Sequence, residues 1–100
     1  MLFAFLLVDR AGAGELRLQH RPAHKAYLAA VADRICVAGP LLADDGETMT
    51  GSLLVVDFDS RAAATAWLRD EPFTRAGVYA RQELHPFRSL WPQRTGSVDA

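Results

Sequence analysis

Seven consecutive apolar residues, Leu2-Phe3-Ala4-Phe5-Leu6-Leu7-Val8, stop abruptly at Asp9-Arg10. A strand sends alternate side chains to opposite faces. Such a strand carries Phe3, Phe5 and Leu7 on one face and Leu2, Leu6 and Val8 on the other. At roughly 25 cal/mol per Å² of apolar surface, leaving either face in water costs several kcal/mol. The run therefore demands a sheet covered on both sides. It is far shorter than a membrane span of about 20 residues, and it lacks the positive segment that opens a signal sequence. It reads as a buried strand of a cytoplasmic protein that makes no use of a membrane.

The chain has 100 residues, half of them hydrophobic and 23% charged, which suits one small globular domain. A core of this size gains from burying more apolar surface by dimerisation. The formal net charge is −1, with no basic block, so no nucleic-acid partner is expected. The basic residues are arginines apart from Lys25. Cys36 is the single cysteine, which excludes an intramolecular disulfide and a cysteine-based metal site. Its apolar setting, Ile35-Cys36-Val37-Ala38, predicts a buried small hydrophobe. The sequence carries no nucleotide loop or cofactor motif, and no cofactor is expected.

After the first strand, residues 15–20 read as a turn of helix interrupted before Pro22. Proline is tolerated at the first helical position, so Pro22 predicts the start of the main helix, over residues 22–33. Ala23, Ala26, Tyr27, Ala30 and Val31 form its expected buried stripe. His24 then falls in the first turn, where the positive helix end favours a neutral imidazole able to act as a base. His20 lies four residues before His24, but a break at Pro22 separates them, and no metal site is expected. Residues 35–42 read as a second strand; Gly39-Pro40 within it point to an edge or a bulge. Asp44, Asp45 and Glu47 form a polar connection whose spacing is not that of a calcium loop. Residues 51–58 are a third strand. Asp59 or Ser60 caps a helix that ends before Pro72, with Ala62, Ala63, Ala66 and Trp67 as its buried stripe. A fourth strand spans residues 78–87. Residues 1–88 make the domain, and residues 89–100 make a C-terminal tail that is polar from Pro92 onward.

The order β, α, β, β, α, β is that of the ferredoxin-like split βαβ sandwich: an α+β fold with a four-stranded antiparallel sheet and both helices on one face. A second copy packing sheet against sheet would cover the other face, so a homodimer is expected. Strands one and three are expected to be the central pair and to run in parallel.

Several short pieces together resemble the YciI-like (YCII-related) proteins over about residues 1–87. They are Asp9 after the first strand, Arg21-Pro22-Ala23-His24, Ala38-Gly39-Pro40, Thr50-Gly51-Ser52, Pro72-Phe73, Ala76-Gly77-Val78-Tyr79 and Pro86-Phe87. The resemblance implies a dimeric α+β barrel with a cleft near the histidine matched by His24 and near an aspartate. It also implies acid–base chemistry, with most members lacking an assigned substrate. A related member is a dehydrochlorinase acting on a hydroxylated ring. Where many relatives carry Asp before Pro after the second helix, this chain has Glu71, with Asp70 just ahead.

This topology places Asp9, at the end of the first strand, near His24. A carboxylate within reach would fix the imidazole tautomer. The expected catalytic pair is therefore His24 as general acid or base and Asp9 as its orienting partner. Arg21 is the candidate for binding a substrate anion. Tyr27, Ser52 and Glu71 are further candidates for lining the substrate site. The two functions in view are an acid–base enzyme acting on a small, aromatic or halogenated molecule and a non-catalytic dimeric module that binds a small ligand or a partner.

Overall fold

The computed structural model describes residues 1–91. The polar tail expected from Pro92 onward lies outside the described residues. The elements are β1 (Leu2–Asp9), α1 (Gly14–Ala29), a 3-10 turn (Ala32–Arg34), β2 (Ile35–Leu42), β3 (Met49–Asp57), α2 (Arg61–Asp70), α3 (Pro72–Ala76) and β4 (Tyr79–Phe87). The sheet order is β2-β3-β1-β4, and every neighbouring pair is antiparallel. This is the expected ferredoxin-like α+β fold. The central pair is antiparallel, not parallel as expected. The crossover through α1 makes β1 and β2 parallel, and β3 enters between them in the opposite sense.

The helix-facing side of the sheet holds the core. Phe3, Phe5 and Leu7 of β1 join Leu54 and Val56 of β3, with Phe58, Ala64 and Leu68 closing over them. Trp67 meets Phe5 edge-on at 5.5 Å. A second cluster joins Ala13, the residue before α1, to Phe73 of α3 and to Val78. The opposite side of the sheet carries Leu2, Ala4, Leu6 and Val8 of β1, all only half-buried. Beside them Leu53 is 40% exposed and Val37 is 49% exposed.

Helix α1 departs from expectation. It is one continuous helix with Pro22 inside it. The carbonyl that loses its partner at Pro22 belongs to Leu18, which is 68% exposed, so water can satisfy it. The buried face is also rotated from the expected stripe. Ala23, Ala26 and Ala30 are exposed, while Ala13, Arg17 and His24 are buried. Cys36 is exposed rather than buried. It sits at a register shift between Ile35 and Val37, which turns it off the helix-facing side. In α2 it is Ala64 and Leu68 that are buried.

Two glycines are required by position. Gly77 adopts φ 79° after α3, and Val78 N–H and Gly77 N–H return to the carbonyls of Phe73 and Thr74. That is a Schellman ending, which needs a left-handed residue. At Gly51, a Cβ would run into the Leu7 carbonyl oxygen of the adjacent strand. We expect Gly51→Ala to force β1 and β3 apart, at a cost of about 1–3 kcal/mol. Urea unfolding should show a lower midpoint with an unchanged slope. An unchanged midpoint would contradict the close approach.

Candidate active site

Arg17 and His24 lie seven residues apart on α1, close to two helical turns, and so share its buried face. Arg17 is 5% exposed and His24 is 8% exposed. A buried charge is costly unless it is paired and hydrogen-bonded, and both side chains meet that demand. Arg17 Nε donates to Asp9 Oδ2 at 2.8 Å. Its Nη2 donates to Gly51 O and to Ser52 Oγ, each at 2.7 Å. Its guanidinium lies 4.7 Å above the centre of the Phe73 ring.

The carboxylate on His24 belongs to Glu71, not to Asp9. Glu71 ends α2 and caps α3, where Pro72 takes the first helical position. Its Oε2 accepts from Phe73 N–H at 2.8 Å and lies 2.7 Å from His24 Nδ1. Its Oε1 accepts from the Tyr79 hydroxyl at 2.9 Å. Glu71 is fully buried. Three donors converge on it, which suits an ionised carboxylate, an acceptor only. The network therefore assigns a proton to His24 Nδ1. Phe73 fixes the ring plane, stacking on His24 at 4.0 Å between centres and 7° between planes.

Burial pushes the ionisation of the Tyr79 phenol far up, and the charge of Glu71 adds to this. A hydrogen bond with Ser52 and the charge of Arg17 act against it. The phenol thus stays a donor to Glu71. Its ordinary value is 10.0. With the folded value raised, its contribution to stability is intact below about pH 10 and is lost as pH rises further. We expect Tyr79→Phe to flatten the fall of Tm above about pH 10 relative to the wild type. Parallel curves would contradict a buried neutral phenol.

A cleft of about 240 Å³ opens between α1 and the β2–β3 edge. It exists because β2 meets the helix with short side chains, Ala38 and Pro40, which pair with Leu54 and Ser52. His24, Arg17, Arg21 and Ser52 line it, together with Lys25 and Met49. Three candidates fall elsewhere. Tyr27 turns toward α2, donating to Trp67 O at 2.8 Å, because the buried face of α1 is rotated from the expected stripe. Glu71 lies behind His24 and holds it from the rear, outside the cleft lining. Asp9 is tied to Arg17, and its Oδ1 has no partner among the described residues. Among these residues, no group of three or more His, Cys, Asp or Glu side chains is placed to hold a metal. No helix among them is long and apolar enough to cross a membrane.

Fold and site define a small α+β protein with a buried imidazole–carboxylate pair beside a cleft. Over residues 1–88 the sequence matches the family model of the YCII-related domain. Protein YciI of Escherichia coli is 37% identical over 98 residues, spanning 91% of this chain and 100% of that protein. An uncharacterized protein of Haemophilus influenzae is 32% identical over the same length. Among solved structures, the 5-chloro-2-hydroxyhydroquinone dehydrochlorinase TftG of Burkholderia phenoliruptrix, in complex with 2,5-dihydroxybenzoquinone, matches with a TM-score of 0.83 at 33% identity. That match covers 88% of this chain and 94% of that one. The chain belongs to the YciI-like, YCII-related family.

Proposed function

We propose that this protein is an acid–base enzyme in which His24 moves a proton on a small molecule held in the cleft. The observation that carries this reading is the buried bond between His24 Nδ1 and Glu71 Oε2, at 2.7 Å, with His24 on the cleft wall. Glu71 holds the tautomer and stabilises the imidazolium that forms when Nε2 takes a proton. Returning the proton to another atom of the ligand completes an isomerisation. Departure of a leaving group with its bonding electrons completes an elimination. The likeness to TftG supports a hydroxylated or halogenated ring as the substrate. Asp9, expected to orient His24, acts in this reading on Arg17 instead. It holds the guanidinium against the cleft floor.

The protein works as a homodimer in the cytoplasm. Support for the dimer comes from the half-buried face of β1 and the exposed Leu53 and Val37 beside it, a surface that a second copy would cover. Sedimentation should give twice the 11.0 kDa chain mass; a species of single mass at micromolar concentration would contradict the dimer.

The sharp substitution is His24→Asn. Asparagine can keep a donor on Glu71 while removing the base at Nε2. With 5-chloro-2-hydroxyhydroquinone as the trial substrate, chloride release should fall by about 100-fold or more, with Tm close to that of the wild type. Unchanged turnover would overturn the assignment. Normal ligand binding with no turnover in either protein would favour the non-catalytic binding module.

A further inference from the structure

We infer that Arg17, which sequence reasoning passed over, is the anion-binding group of the cleft, and that the ligand presents an ionised oxygen on a small apolar body. The assignment rests on reading the cleft as the ligand site. It starts from the donor inventory of one buried side chain. A guanidinium has five N–H groups. In Arg17, Nε is used by Asp9, and Nη2 serves both Gly51 O and Ser52 Oγ. Among the described residues, the two N–H groups of Nη1 meet only the Met49 thioether, at 3.8 Å. Sulfur is a weak acceptor, and buried donors ordinarily have strong ones. Arg17 and Met49 line the same cleft. A purely structural Arg17, there to hold Asp9 and β3, leaves this edge unexplained.

The charges around the cleft agree. Among the described residues, no carboxylate lines it. Asp9 balances Arg17, and Glu71 stands behind His24. Arg21 and Lys25 stand at the rim without an ion-pair partner among the described residues. The field at the mouth is therefore positive, and it draws anions in. The other walls are apolar, with Leu28, Pro40 and Leu54. A space of about 240 Å³ accommodates one ring and its substituents rather than a nucleotide or peptide. Met49 is unbranched and can swing its sulfur away as the oxygen arrives. The ionised oxygen then sits on Nη1, with the carbon body on the apolar wall and His24 within the same cleft.

The test uses the full chain and three probes: benzoate, benzamide with the same shape but no charge, and acetate with the charge but no ring. Affinities come from calorimetry, and contacts come from amide and arginine side-chain NMR. Benzoate should bind at least about tenfold tighter than either analogue, since a charge-assisted bond to Arg17 and the apolar wall both contribute. Arg17→Lys should weaken benzoate by about tenfold or more, because an ammonium does not reproduce the guanidinium fork. If Arg17→Lys does not fold, the Arg17 side-chain signals of the wild type decide: they should move along the calorimetric isotherm. Equal binding of benzoate and benzamide would overturn the inference. So would static Arg17 signals at saturation, or no benzoate binding at about 10 mM. If benzoate fails to bind while chloride release still depends on His24, the anion assignment falls and the acid–base reading stands. Benzoate bound by Arg17 in a protein without turnover is the converse.

Discussion

The bond between His24 and Glu71 organises this molecule. Both partners are buried, and losing either one strands the other, a cost of about 3–5 kcal/mol in comparable buried pairs. That demand explains the local architecture. Glu71 must end α2, cap α3 and face α1 at once, and Pro72 directly after it starts α3 with an N-cap carboxylate already in place. Phe73, the first residue whose N–H Glu71 accepts, is also the ring on which His24 stacks. One residue thus fixes the imidazole's direction while its neighbour fixes the ring plane.

A second buried pair, Asp9 with Arg17, stands beside the first, and the Phe73 ring lies against both, stacked on His24 and under the Arg17 guanidinium. Arg17 reaches Ser52, and Tyr79 donates to Glu71. Together these contacts tie β1, α1 and β3 to α3 and β4. Polar networks of this kind are stable only when their members are satisfied. The thinly satisfied places here are Nη1 of Arg17 and Oδ1 of Asp9. The apolar core lies next to the network rather than around it. The site is therefore built into the helix-facing side of the sheet, while the opposite side stays free for another surface.

Much of the fold was legible. The alternation of Phe3, Phe5 and Leu7, the proline in an edge strand, the Ser60 cap and the stop before Pro72 all have local causes that the structure keeps. The family pattern points to His24, which lies on the cleft wall, but the route through helix dipoles does not survive, since His24 lies well inside α1. The buried face of α1 was misread for a physical reason: it carries Arg17 and His24 where periodicity looks for apolar residues, and the alanines that mimic a stripe face water. Arg17 lies four residues before Arg21-Pro22-Ala23-His24, and nothing in spacing alone marks it as buried. Which carboxylate reaches His24 was equally out of reach. Asp9 and Glu71 both approach that end of the fold, and the choice depends on side-chain geometry. Glu71 Oε2 reaches His24 and the Phe73 amide together, a geometry that residue type alone does not reveal.

The central claim of the proposed function is that Glu71 holds His24 with its proton on Nδ1 and its lone pair on Nε2. Nitrogen-15 NMR of the histidine rings at neutral pH reads this directly. The account predicts a protonated Nδ1 and a bare Nε2 for His24, with the Nδ1 proton far downfield and lost in Glu71→Gln. A proton found on Nε2, or a His24 spectrum indifferent to Glu71→Gln, would contradict it.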